Sequence, residues 1–142
     1  VRPRAEDKHV ELEVAAGEPL PPVAVDAERI GQALANLLNN AITYTPAGGK
    51  VTLSAVASDR GVTLVVADTG VGIPPEYLPR VFDRFLRIPG HSDETGTGLG
   101  LAIVKEIAVA HKGEVTCESE PGKGTTFRIT LPSAERGARN AE

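Results

Sequence analysis

The side chains able to do chemistry in this chain fall into four groups. Two amides, Asn36 and Asn40, stand four residues apart. An aspartate, Asp68, opens the run D-T-G-V-G-I that ends at Ile73. An aromatic and basic run, F-D-R-F-L-R, extends from Phe82 to Arg87. A glycine-alternating run, G-T-G-L-G-L, extends from Gly96 to Leu101 and leads into an apolar-periodic segment. Glycines feeding a helix start can hold phosphate, because free N–H groups point outward and the helix dipole favours negative charge. The run differs from both the G-x-G-x-x-G dinucleotide fingerprint and the P-loop, since no Lys-Ser/Thr follows it. Alone, it is equally a glycine-rich turn before a helix.

The elements that must position these residues can be read from periodicity. Val10, Leu12 and Val14 alternate with Glu11, Glu13 and Ala15, the pattern of a half-buried strand. Val23 to Val25 is a short strand candidate after a turn over Gly17 to Pro22. Asp26 can cap a helix with Glu28 in its first turn. Ile30, Leu34, Leu37, Leu38, Ala41 and Ile42 follow helical spacing, and Asn36 and Asn40 border that apolar face. Pro46, Gly48 and Gly49 end this helix. Val51 to Ala57 and Val62 to Asp68 read as a hairpin around Asp59-Arg60-Gly61. Asp68 shares the parity of Val62, Leu64 and Val66, so a carboxylate aims into the apolar layer and needs a partner there.

Pro75 to Leu86 is predicted to be helical, with Val81, Phe82, Phe85 and Leu86 as its apolar stripe. The polar stretch Pro89 to Thr95 should be mobile without a ligand. Leu99 to Lys112 is the second long helix, stopped by Gly113. Val115 to Ser119 and Thr125 to Leu131 form a last hairpin, with Phe127, Ile129 and Leu131 inward and Thr125 sharing their parity. Strands that come mostly as hairpins favour an α+β two-layer sandwich, a mixed and mostly antiparallel sheet with helices on one face.

Composition narrows the function classes. The 142 residues carry a formal net charge of −4, with 41% hydrophobic and 24% charged residues. That is an ordinary soluble balance for one domain, without the basic excess of a nucleic-acid footprint. The one cysteine, Cys117, excludes an internal disulfide and reads as packing rather than a nucleophile. His9, His91 and His111 show no metal-ligand spacing. No apolar run reaches membrane-spanning length and no secretory signal opens the chain.

The four groups, in this order and spacing, closely resemble the N, G1, F and G2 boxes of the ATP-binding catalytic domain of sensor histidine kinases. Gyrase, the ninety-kilodalton heat-shock chaperones and the mismatch-repair ATPases are wider relatives sharing this Bergerat-type fold. The resemblance runs from about Val10 to Pro132 and includes the closing pattern G-K-G-T-T-F-R-I-T-L-P. It implies that Asp68 reads adenine, with Thr125 holding a nearby water. It implies that Gly70, Gly72 and Ile73 line the base and that Tyr44 flanks it. Asn40 matches the family's metal-binding asparagine. Gly96, Thr97, Gly98, Leu99, Gly100 and Leu101 would meet the phosphates, and Arg87 would approach the γ-phosphate. Asn36 stands where ATP-hydrolysing relatives have a glutamate; an amide cannot take a proton, so general-base hydrolysis lacks its base. Two departures are Thr43, where many members are basic, and Leu86, where an aromatic is common.

The resemblance therefore implies binding of Mg-ATP under a lid from about residue 87 to 96. The γ-phosphoryl would pass to a histidine on a dimerisation domain and on to a response regulator. No S-H-E-L-R-like acceptor context occurs here, so this chain alone is not expected to autophosphorylate. Residues 1–9 are expected to lead in from an upstream dimerisation and acceptor domain, residues 10–132 to form the ATP-binding domain, and residues 133–142 to be a disordered tail. The domain is expected to be cytoplasmic, monomeric in isolation, and without nucleic-acid or membrane contact. Two rivals are a protein-serine kinase of the anti-sigma-factor kind and a nucleotide-binding docking module without catalysis.

Overall fold

The computed structural model describes residues 2–15, 25–58, 61–83 and 100–132. The expectations placed on Arg87, Gly96, Thr97, Gly98 and Leu99 lie outside the described residues. So do those on the lid, on Phe85 and Leu86, on His91, on the 17–22 turn and on the tail.

The chain runs α1 (Arg2–Lys8), β1 (Glu11–Ala15), α2 (Ala27–Tyr44), β2 (Lys50–Ser58), β3 (Gly61–Asp68), a 3-10 helix (Pro75–Arg80), α3 (Gly100–Ala110), β4 (Glu114–Glu120) and β5 (Gly124–Pro132). The sheet order is β1-β2-β3-β5-β4. Only β1 and β2 run parallel; the other three pairings are antiparallel. The mixed, mostly antiparallel sheet is the expected α+β sandwich.

The two layers close over one core. Val51, Val62, Val66, Phe127, Ile129 and Leu131 are buried on the sheet's inner face. Above them lie Ile30, Ala33, Leu37, Leu38, Ala41 and Ile42 of α2, and Val104, Ile107 and Ala108 of α3. Every apolar position assigned to α2 by periodicity is buried or packs against this core, with Leu34 partly covered. The Asp26 carboxylate accepts from the N–H groups of Glu28 at 3.1 Å and Arg29 at 3.3 Å, which satisfies two donors of the first turn.

Four local expectations are corrected, and one helix was not anticipated. The 75–86 segment is not an α-helix: it is a 3-10 helix over Pro75–Arg80, followed by a turn at 81–83. Pro79 sits inside it, and a proline there lacks the N–H and crowds the preceding turn. The polar stretch before β1 is helical, with Ala5 only 1% exposed. Val14 does not share the burial of Val10; it is 52% exposed, at the end of an edge strand. Helix α3 ends at Ala110, and Lys112 rather than Gly113 takes the left-handed conformation, at φ 61°. The N–H of Gly113 then donates to the Ala108 carbonyl at 2.9 Å. Val25 lies in no strand.

Candidate functional site

Asp68 is the last residue of β3, paired with Val51 on one side and Thr125 on the other. Its Oδ1 accepts the N–H of Gly70 at 2.8 Å, and the backbone of Thr125 supplies a second hydrogen bond to the carboxylate. Burial pushes the carboxyl above its ordinary value of 3.8, and the two backbone hydrogen bonds oppose that shift. Among the described residues no ion pair reaches Asp68. A carboxylate has roughly four lone-pair sites, so two backbone donors leave acceptor capacity for a ligand.

The loop after Asp68 is clamped on both sides. The Val71 N–H donates to the Tyr44 carbonyl at 3.1 Å, tying the loop to the end of α2. The Gly122 N–H donates to the Val71 carbonyl at 2.9 Å, tying it to the β4–β5 turn. A Cβ at Gly70 would run into the Tyr44 carbonyl and lie 2.8 Å from Asp68 Oδ1. Gly72 has φ +76°, and a Cβ there would meet the Glu120 carbonyl. The two glycines thus allow a close approach that other residues would block. Ile73, 4% exposed, donates its N–H to Ser119 Oγ at 2.7 Å.

Asn36, Asn40 and Tyr44 are spaced four apart along α2, and all three are half-buried. Asn36 Nδ2 donates to the Gly100 carbonyl at 3.4 Å, linking α2 to the first residue of α3. Leu101, next along α3, is half-buried and packs against the core. Thr125 is 7% exposed, and its Oγ1 lies 2.8 Å from Ser119 Oγ. The structure thus joins Asp68, Gly70, Thr125 and Tyr44 around one loop, and separately joins Asn36 to Gly100 between the two long helices. No group of three or more His, Cys, Asp or Glu residues that could hold a metal occurs among the described residues.

Sequence reading passed over three residues. Lys8 Nζ donates to the carbonyls of Ile42 at 2.8 Å and Thr43 at 2.6 Å, in the last turn of α2. His111 bridges the two helices: its Nε2 accepts the Asp26 N–H at 3.0 Å and its Nδ1 donates to the Ile107 carbonyl at 2.8 Å. Both ring nitrogens are therefore engaged structurally. Ser119 links Ile73, Gly124 and Thr125. Its only signal was the shared parity of Val115, Cys117 and Ser119 on β4. Cys117 is half-buried, and burial, then the charges of Asp68 and Glu118, push its thiol up to about 12. That environment fits packing, not nucleophilic chemistry.

Residues 25–135 match the family model described as "Histidine kinase-, DNA gyrase B-, and HSP90-like ATPase". The chain is 44% identical over 131 residues to the sensor histidine kinase CusS of Escherichia coli K12, covering 91% of this chain but 27% of CusS. It thus spans about a quarter of that relative's length. The mycobacterial sensor histidine kinase MprB superposes with a TM-score of 0.78 at 34% identity, covering 92% of this chain and 89% of that one. Full-length ShkA in complex with AMPPNP superposes with a TM-score of 0.79 at 41% identity, covering 89% of this chain and 26% of that one. No helix among the described residues is long and apolar enough to cross a membrane.

Proposed function

Since this chain belongs to the histidine kinase-, DNA gyrase B- and HSP90-like ATPase family, as a catalytic domain of the sensor histidine kinase type, we propose that it binds ATP and presents the γ-phosphoryl to a histidine on another domain. The observation that carries the reading is Asp68. A carboxylate sunk in an apolar layer, held by backbone donors and met by no cation among the described residues, has a donor-bearing ligand as its natural partner. The exocyclic amine of adenine is such a donor, and ShkA, of the same fold, was solved with the ATP analogue AMPPNP.

In this reading Asp68 and Thr125 face the base, with Gly70, Gly72, Ile73 and Tyr44 shaping the cleft around it. Gly96, Thr97, Gly98, Leu99, Gly100 and Leu101 contact the phosphates through their backbone N–H groups, and Arg87 approaches the γ-phosphate. Mg²⁺ fits the donors present: the Asn40 amide oxygen is a hard ligand that would hold the ion together with phosphate oxygens. The ion would supply charge neutralisation at the triphosphate. Asn36 stays an amide that donates to the Gly100 carbonyl and offers no base for water attack. The γ-phosphoryl is thereby spared for an incoming histidine nitrogen, and transfer becomes a matter of positioning.

The acceptor histidine lies on a dimerisation domain upstream of residue 10, the phosphoryl group continues to a response regulator, and the domain works in the cytoplasm. Calorimetric titration with AMPPNP, with and without Mg²⁺, tests the binding half. Tight, Mg²⁺-enhanced binding is expected, and no measurable heat at millimolar analogue sinks it. Incubation with ATP and a sensor-kinase acceptor domain tests the transfer half. The product should be acid-labile, as phosphohistidine is; an acid-stable phosphoprotein would point to serine instead.

A further inference from the structure

We propose that Ser119 is a positioning residue that fixes the polarity of the Thr125 hydroxyl, so that Thr125 meets the base end of the site only as a hydrogen-bond acceptor. The inference rests on the nucleotide reading above and deepens it. It follows from counting hydrogens.

Ser119 Oγ carries one hydrogen and two lone pairs. It has three partners: the Ile73 N–H at 2.7 Å, the Gly124 carbonyl at 2.9 Å and Thr125 Oγ1 at 2.8 Å. The carbonyl can only accept, so the Ser119 hydrogen belongs to Gly124. The Ile73 N–H can only donate, so it takes one Ser119 lone pair. In the remaining bond Ser119 has only a lone pair to give, and Thr125 must be the donor. The single hydrogen of Thr125 is thereby committed to Ser119, and its oxygen keeps only lone pairs for anything else.

Thr125 is the register partner of Asp68 on the same inward face. An ionised carboxylate is also acceptor-only. The pocket floor therefore presents acceptors side by side, from two residues on adjacent strands. A purine with an amino group at C6 matches this floor by donating to it directly. At the C6 position itself, an oxo group sets lone pairs against lone pairs. At a position only 7% exposed, water cannot relieve such a mismatch cheaply. Ser119 touches no ligand in this scheme; it acts through Thr125. Its bond to the Ile73 N–H is a separate, structural contribution that should affect all nucleotides alike.

The test is a double-mutant cycle on the 142-residue chain, with ATP and ITP titrated calorimetrically in the presence of Mg²⁺. ITP differs from ATP at the C6 substituent and the adjoining N1 proton. Ser119→Ala frees the Thr125 hydroxyl to rotate, and should narrow the ATP-to-ITP affinity ratio about threefold to tenfold. Thr125→Val should narrow it similarly, and adding Ser119→Ala to Thr125→Val should narrow it no further. Equal weakening of both nucleotides by Ser119→Ala, with the ratio intact, overturns the proposal. So does a ratio effect that persists in the Thr125→Val background. Should Ser119→Ala fail to melt cooperatively, Thr125→Val alone decides: an unchanged ratio overturns the proposal. Wild-type chain that binds neither nucleotide removes the nucleotide reading itself, whereas wild-type ATP binding with an unmoved ratio in the variants removes only the role of Ser119.

Discussion

The carbonyl of Tyr44 lies over Gly70 so closely that a Cβ on Gly70 would run into it. That carbonyl also accepts the Val71 N–H at 3.1 Å. The end of α2 and the loop after Asp68 therefore fit only because residue 70 has no side chain. Gly70→Ala should force the two backbones apart. Overpacking of this kind costs about 1–3 kcal/mol, or a fall in Tm of roughly 3–12 °C. ATP affinity should drop at least about tenfold, since the Asp68 bond to the Gly70 N–H shifts with it. Gly31→Ala is the contrast, because nothing lies within 4 Å of the added carbon and the residue is exposed within α2. It should raise Tm by a few degrees, as alanine is favoured over glycine in a helix by about 1 kcal/mol. Equal melting of the two variants would contradict the steric account.

Asp68 should cost stability in the absence of ligand. Burial raises its pKa from 3.8, so the folded chain holds the carboxyl proton more tightly than the unfolded chain does. The contribution of this group to stability is then complete below about pH 3.8 and declines as pH climbs through the raised value. Asp68→Asn is neutral throughout and keeps an oxygen for the Gly70 and Thr125 N–H groups. Its Tm should match wild type near pH 3.5 and exceed it increasingly toward pH 7, while its ATP affinity falls about a hundredfold. Scanning calorimetry across this range checks the sign. A wild type that melts above Asp68→Asn at pH 7 would mean that something already satisfies the charge.

The uneven reach of sequence reading has a physical pattern. Helix α2 was legible because a cap at Asp26 and an apolar stripe at helical spacing are local signals that tertiary structure reinforced. The inward aim of Asp68 and Thr125 was legible from strand parity alone. The 3-10 helix was missed because apolar spacing outweighed Pro79, whose missing N–H excludes a regular α-helical turn. Lys8, Ser119 and His111 were missed for another reason. Each acts through a partner whose nearness depends on docking: Lys8 reaches Ile42 across the α1–α2 contact, and His111 reaches Asp26 from the far end of α3. Such contacts leave no periodic trace.

Cys117 should be inert at neutral pH. With its thiol pushed up to about 12, the thiolate fraction at pH 8 is on the order of one in ten thousand. Ellman's reagent should label the folded chain far more slowly than a free thiol, and labelling should become fast in guanidinium. The same shift predicts alkaline instability. The contribution is whole below about pH 9.0, the thiol's ordinary value, and is lost as pH rises through about 12. Cys117→Ala should therefore lose less Tm than wild type between pH 9 and 10.5. Rapid labelling of the folded chain at pH 8 would contradict the burial argument.

Lys8 makes a clamp outside the candidate site. The last carbonyls of a helix lack intrahelical partners, and the dipole leaves that end negative. Lys8 brings an ammonium to the carbonyls of Ile42 and Thr43, within two residues of Tyr44. The same junction holds the Gly48 N–H against the His9 carbonyl at 2.8 Å and the Glu11 N–H against the Gly49 carbonyl at 3.0 Å. Helix α1 is thus fastened to the end of α2 from which the Asp68 loop hangs. Lys8→Met keeps the stem and removes the charge. It should cost about 1–2 kcal/mol, or roughly 3–8 °C in Tm. It should also speed amide exchange at Glu11 and Gly48 more than at Ile129 in the core. Lys105→Met, on the exposed face of α3, is the control and should leave both measurements unchanged. ATP affinity in Lys8→Met should fall only a few-fold, because Tyr44 stays in α2 while its terminal turn loosens. Exchange rates at Glu11 and Gly48 that match wild type would show that α1 docks without this clamp.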